Sequence, residues 1–326
     1  MNVAIVGCGV IAATHVKAAK QCGANIVALC DTELDKARAL AEKNQISCNF
    51  YVDYKQMLEQ EHVDVVHICT PHFLHCEMTL YALKRDINVL CEKPLCISYE
   101  QIDQILAAEK QSKAILGVCL QNRYNLSVVA ARRFLADKRV VAAHGEVCWN
   151  RGEAYYRSAD WRGKLATEGG GVLINQGLHT LDLLQYMCGM PARVTATCGN
   201  WYHKGVIEVE DVASAAFFGD EFGFDLFATT TSFAELPAQL TLKTADKHTL
   251  VVLPDAAYVD GKTLTFETDT HFVGKCCYGK GHASLIPDFY DAVAEKRKFA
   301  IDGAEGAKVV RLILAVYRSN GKEISL

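Results

Sequence analysis

The residue types able to do chemistry in this chain are gathered in a few short stretches. Gly7-Cys-Gly9-Val10-Ile11-Ala12 directly follows a β-rich run, Val3 to Val6, and opens a helix-like segment. In that context the first glycine permits a tight turn, the second lets the backbone approach a pyrophosphate, and small Ala12 allows close packing of helix on strand. A second β-rich run ends at Cys30 and is followed by Asp31, 22 residues beyond Gly9. A carboxylate there can accept hydrogen bonds from the ribose hydroxyls of an adenosine, so the pair points to a bound dinucleotide. Asp31 would repel a 2′-phosphate and no arginine adjoins it, so NAD is expected over NADP; the plainer reading of Asp31 is a helix cap.

Two further stretches, Thr70-Pro71 and Glu92-Lys93-Pro94, sit just past apolar runs at Val63 to Cys69 and Ile87 to Cys91. Ligands of open α/β sheets bind at the carboxyl ends of strands, which is where these residues fall. Lys93 stands between a carboxylate and a proline whose peptide bond could be cis. A later segment reads Glu168-Gly-Gly-Gly-Val-Leu-Ile-Asn175-Gln-Gly-Leu-His179-Thr-Leu-Asp182. At helical spacing Asn175, His179 and Asp182 share one face with Tyr186, so three polar groups form a stripe. A buried, satisfied histidine is the plain alternative for His179. Cys69, His72, His75 and Cys76 have zinc-ligand chemistry, but a strand end and a helix start account for them, and no metal is expected.

The glycine turn, the Glu-Lys-Pro and the Gly-Gly-Gly followed by x-Gly-x-His-x-x-Asp, in this order and spacing, resemble the glucose-fructose oxidoreductase / inositol dehydrogenase / MocA family over essentially the whole chain. The resemblance implies a Rossmann domain and a sheet domain, with NAD or NADP held between them and a sugar or polyol over the nicotinamide. It implies that Val10, Ile11, Thr70, Pro71, His75, Glu92 and Lys93 join Gly7, Gly9 and Asp31 around the cofactor. Trp161-Arg162 resembles a pair that some sugar-oxidising members use against the cofactor, although Trp161 could equally pack in the core. Arg123 is implied in the active-site cleft, its alternative being a domain-interface salt bridge. Tyr278, with His282, could meet the sugar or merely cap a helix; Asp182 joins the implied substrate contacts.

Where the family often has aspartate this chain has Asn175, which cannot take a proton but could hydrogen-bond the substrate or orient the catalytic His179. The acid/base work then falls on His179, whose ordinary pKa near 6.5 suits it. His179 would remove a hydroxyl proton as hydride leaves the same carbon, and Lys93 would stabilise the alkoxide; lysine as the base is a variant. The implied substrates are sugars, sugar phosphates, nucleotide sugars and inositols. A non-catalytic cofactor-binding sensor and a dehydrogenase of a non-sugar such as a dihydrodiol are the alternatives.

The elements that must position these residues follow two rhythms. Residues 1–120 alternate β-rich and helical runs, the pattern of a doubly wound parallel Rossmann sheet. From 121 to 326 longer alternating runs predict an α+β domain with a large, mainly antiparallel open sheet, covered by helices near 125–136, 173–188 and 281–296. An open face favours a homo-oligomer, a dimer or tetramer.

Composition narrows the classes. Net charge is −4 with 22% charged residues, which disfavours nucleic-acid binding. The longest apolar run is six residues, Leu312 to Tyr317, well short of the roughly 20 of a membrane helix. No basic start marks a secretory signal, so a cytoplasmic place is expected. Fourteen cysteines without a Cys-x-x-Cys read as reduced core residues.

Overall fold

The computed structural model describes residues 1–266 and 281–326. The chain begins with a regular alternation: β1 (Asn2–Val6), α1 (Ala12–Gln21), β2 (Asn25–Cys30), α2 (Leu34–Asn44), β3 (Asn49–Tyr51), α3 (Tyr54–Gln60), β4 (Val65–Ile68), α4 (His75–Leu83), β5 (Asn88–Cys91), α5 (Tyr99–Gln111) and β6 (Leu116–Val118). The strands form a parallel sheet in the order β3-β2-β1-β4-β5-β6. β1 and β4 are almost wholly buried, as strands covered on both faces must be. Ser98 caps α5 by accepting from Gln101 N, as its position before that helix suggests. The short β3 and α3 were not expected; an edge strand of three residues, Asn-Phe-Tyr, carries no periodic signal.

From residue 121 the elements are α6 (Leu126–Phe134), β7 (Val140–Cys148), α7 (Glu153–Tyr156), α8 (Leu165–Glu168), a π turn at Leu173–Gly177, α9 (Leu178–Cys188), β8 (Arg193–Gly199), β9 (Val212–Phe218), β10 (Gly223–Thr229), β11 (Gln239–Thr244), β12 (Thr249–Val252), β13 (Ala257–Val259) and β14 (Lys262–Thr263). With β15 (Ile324–Ser325) they build a nine-stranded sheet ordered β14-β13-β12-β11-β7-β10-β9-β8-β15. The pairs are antiparallel except β7 with β10, which run parallel at the centre. The sheet is therefore mixed and mostly antiparallel. Helix α9 packs on β7, where Gly145 makes room for Leu184 and Thr180.

Two helices complete the chain, α10 (His282–Glu295) and α11 (Gly303–Ser319). Packing divides the molecule into one unit of Met1–Leu120 with His282–Ala307, and another of Gln121–Gly281 with Lys308–Leu326. The sequence reading gave all of 121–326 to one domain and laid the helix near 281–296 on the second sheet. Here α10 belongs with the parallel sheet instead. Gly117 of β6 supplies the reason, since a Cβ there would lie 2.6 Å from Phe289, which with Phe299 fills that space. Among the described residues the cysteines are free thiols, most of them buried, and no helix is long and apolar enough to cross a membrane.

Candidate active site

The glycine turn between β1 and α1 is built from backbone contacts. Gly7 has φ +86° and donates its N–H to Cys30 O at 2.8 Å; a Cβ on it would strike Cys69 O at 2.6 Å. Only glycine fits there. Gly9 faces open space, with nothing within 4 Å of a notional Cβ, and Val10 beside it is exposed. Ile11 is the N-cap position of α1 and offers no side-chain cap. Asp31 Oδ2 accepts Cys8 N–H at 2.8 Å and Oδ1 accepts Glu33 N–H at 2.9 Å. It is thus both the loop's anchor and a carboxylate at the end of β2, with lone pairs left for a ribose.

Past β4 and β5 two loops are tied by His75. Its Nδ1 lies 2.7 Å from Pro94 O and its Nε2 2.8 Å from Thr70 O, and it has no exposed surface. Burial lowers its pKa, so the neutral ring donates to one carbonyl at a time. Expected at the cofactor, His75 is placed as a clamp between the Thr70-Pro71 and Lys93-Pro94 segments. Glu92, also expected at the cofactor, is 6% exposed and points inward, accepting from His15 Nε2 at 2.9 Å and His282 Nε2 at 3.1 Å. Burial would raise its pKa, but these two bonds hold it well below the usual carboxylate range. The Lys93–Pro94 peptide is cis, and Lys93, partly exposed, follows with its N–H 3.2 Å from Glu92 Oε2.

In the second unit the polar stripe divides. Residues 173–177 form a π turn rather than the first turn of one α-helix, so Asn175 is offset from the row of 179, 182 and 186. Asn175 Nδ2 donates to Glu168 Oε1 and reaches Tyr155 Oη at 3.2 Å. Tyr155 Oη also receives Arg162 Nη1 at 2.7 Å and Gln176 Nε2 at 3.2 Å. Arg162 lies over the rings of both Tyr155 and Trp161, so the Trp-Arg pair joins this cluster. His179 is 4% exposed with Nε2 3.2 Å from Gln121 Nε2. Arg123 and Asp182, both expected at the substrate, form a buried bidentate pair at 2.9 and 2.7 Å, braced by Gln185. Neither charge could be left alone at that burial, which is why they pair. Tyr278 lies outside the described residues.

The profile described as "Oxidoreductase family, NAD-binding Rossmann fold" matches residues 1–120, and that of the "GFO/IDH/MocA C-terminal domain" matches 130–239. The chain belongs to the Gfo/Idh/MocA oxidoreductase family. It is 28% identical to D-glucoside 3-dehydrogenase of Escherichia coli K12, over 98% of this chain and 95% of that one. An inositol 2-dehydrogenase of Salmonella typhimurium is 22% identical over 82% of this chain and 84% of its own. Among solved structures, the WlbA dehydrogenase of Bordetella pertussis in complex with NADH and UDP-GlcNAcA superimposes with a TM-score of 0.87 at 25% identity, over 100% of this chain and 98% of that one. This Gfo/Idh/MocA protein is an NAD-dependent oxidoreductase. Its own residues fit the dinucleotide: Gly9 leaves the turn open and Asp31 stands at the strand end.

Sequence reasoning missed Tyr155, Glu168 as a partner of Asn175, and Gln121 beside His179. Glu168 was visible ahead of the glycine triplet. Tyr155 and Gln121 carry no motif, and only the fold brings them to residues that do.

Proposed function

We propose that this Gfo/Idh/MocA protein oxidises, or in reverse reduces, one ring carbon of a sugar, a sugar derivative such as a nucleotide sugar, or an inositol. His179 moves the hydroxyl proton and Lys93 stabilises the developing alkoxide. NAD, when bound, supplies the hydride-accepting nicotinamide.

The observation that carries this reading is the contact between His179 and Gln121. As placed, Gln121 Nε2–H donates to His179 Nε2, which puts the neutral ring's proton on Nδ1. Buried Gln121 Oε1 then has no partner among the described residues. Turning the amide over gives Oε1 the Nε2–H and leaves the lone pair on Nδ1. Each amide orientation therefore goes with one imidazole tautomer, and the turned one leaves Nδ1 with the lone pair that a proton acceptor needs. Asn175, held by Glu168, can hydrogen-bond a hydroxyl but cannot move its proton. The names of the relatives, a glucoside dehydrogenase, an inositol dehydrogenase and an enzyme crystallised with a nucleotide sugar, support the substrate class.

The test is NAD reduction by the purified protein over glucosides, inositols, sugar phosphates, nucleotide sugars and one dihydrodiol, with Lys93→Ala and His179→Ala alongside. One sugar-like class should turn over, and each variant should lose roughly 10²–10⁴-fold in kcat while still binding NAD. Turnover of the dihydrodiol alone would move the substrate outside the sugars. No turnover in either direction with NAD still bound would replace this reading with that of a cofactor-binding sensor.

A further inference from the structure

Beneath the Glu-Lys-Pro segment, four elements of the first unit bring four metal-binding groups together. They are His15 on α1, Glu92 after β5, Cys119 after β6 and His282 at the start of α10. One ligand atom from each lies within 4.8 Å of all the others. His15 and Cys119 have no exposed surface; Glu92 is 6% and His282 7% exposed. We propose that His15 Nε2, Glu92 Oε1, Cys119 Sγ and His282 Nε2 bind one zinc ion, a site independent of the hydride-transfer reading.

The ligand types carry the first part of the argument. Two imidazoles, a carboxylate and a thiolate are a closed four-coordinate set that suits zinc. A tetrahedral ion with bonds of about 2.0–2.3 Å sets its ligands roughly 3.3–3.7 Å apart. The separations here start at 2.9 Å between His15 and Glu92 and 3.1 Å between His282 and Glu92, and none exceeds 4.8 Å. Small side-chain shifts suffice.

Charge carries the second part. Cys119 and Glu92 lie close together among buried residues, where a thiolate beside a carboxylate would need a divalent cation to match their two charges. Zinc binding breaks the Cys119 S–H bond, forms a Zn–S bond and releases one proton. The ion's two positive charges are then matched by one thiolate and one carboxylate. The site with zinc bound is then electrically neutral, the arrangement a low-dielectric interior favours.

The surroundings hold the ligands in either state. Without metal, His15 Nε2–H donates to Glu92, so His15 Nδ1 accepts from His67 Nδ1–H at 2.9 Å, and His67 Nε2 accepts from Tyr290 O–H at 3.0 Å. With zinc on His15 Nε2 the same chain reverses. His15 Nδ1–H then donates to His67 Nδ1, and His67 Nε2–H donates to Tyr290 Oη. No proton is gained or lost along it, and a ligating histidine gains the outer partner such ligands normally have. Glu92 Oε2 stays with Lys93 N–H.

Metal content of the intact protein, expressed with zinc or cobalt in the medium, tests the site without any substrate. About one zinc per chain is expected by elemental analysis. The cobalt form should show tetrahedral visible bands and a near-ultraviolet thiolate-to-cobalt charge-transfer band. Cys119→Ser should abolish the charge-transfer band and lower retained metal by roughly tenfold or more, and His282→Gln should lower it similarly. Cys76→Ser, a buried thiol outside the cluster, should change neither. Wild-type protein that folds, retains far less than one zinc per chain and gives no cobalt bands would overturn the proposal. So would a charge-transfer band that survives Cys119→Ser. The cluster would then be a hydrogen-bonded cage around Glu92.

Discussion

Two glycine-rich segments, at residues 7–9 and 169–171, look alike in the sequence and do opposite things in the fold. Gly9 leaves space empty, with nothing within 4 Å of where a Cβ would stand. Gly170 and Gly171 have no space to leave: a Cβ would lie 1.9 Å from Tyr317 Oη in the first case and 1.9 Å from Glu210 O in the second. One segment leaves space open, the other is small so that the chain just before β9 and helix α11 can approach. Glu210 reinforces the second, accepting Gly171 N–H at 2.9 Å, Leu173 N–H at 3.0 Å and Tyr317 O–H at 2.9 Å. A glycine pattern therefore marks a close approach of something, and only the coordinates tell whether that is a ligand or the protein itself.

The sharpest way to break this comparison is a methyl group at each site. Gly171→Ala should cost about 4 kcal/mol or more of stability, because backbone and not a flexible side chain blocks the new Cβ. Chemical denaturation would read it, and a loss under 1 kcal/mol would show that the two strands of chain are not locked together.

The second effect is a pH dependence seated at Glu210. Burial raises its pKa from 4.5 to about 7 in spite of its hydrogen bonds. Below pH 4.5 it is protonated in both the folded and unfolded states. Between 4.5 and 7 the folded protein keeps a proton that the unfolded chain releases, so stability falls as pH rises, by about 3 kcal/mol in all, and levels off above 7. The difference between wild type and Glu210→Gln in denaturant midpoint should follow that curve; a difference that does not vary with pH would remove Glu210 as its source.

The smallest effect belongs to the open turn. Gly9→Ala should leave stability within about 0.5 kcal/mol and weaken NAD binding roughly tenfold, or about 1.4 kcal/mol, by calorimetry. Unchanged affinity would mean that the dinucleotide does not approach at Gly9.

The legible parts of the molecule were those with a local period or a fixed motif. Five of the six strands of the parallel sheet, α1, α2, α4 and α5, and the broad second sheet all follow from alternation of apolar residues and from caps such as Ser98. Helix α11 is not legible although Asp302 caps it by accepting Glu305 N–H at 2.9 Å, because the unbroken apolar run Leu312 to Tyr317 hides its helical period. The parallel pairing of β7 with β10 was also illegible, since alternation gives a strand its faces but not its neighbour's direction. At the site, Gly7, Asp31, Lys93, Asn175 and His179 carried their own signals. For Arg123 a salt bridge stood open beside the substrate cleft, and only the fold names Asp182 as its partner, because spacing along the chain cannot show that two side chains neutralise each other.

The sequence by itself determined the dinucleotide turn, the alternation of strand and helix through residue 120 apart from β3 and α3, and which residues are candidates to move a proton or steady an alkoxide. Those are properties of neighbours along the chain, where steric limits and hydrogen-bond chemistry act over a few residues. The tertiary structure decided the rest: that Glu92 turns inward to His15 and His282, 77 and 190 positions away, that Tyr155 gathers three donors, and that two glycines make room for Glu210 and Tyr317. Burial decides what a charge or a small residue is for, and burial is set by chain segments that meet only when the protein folds.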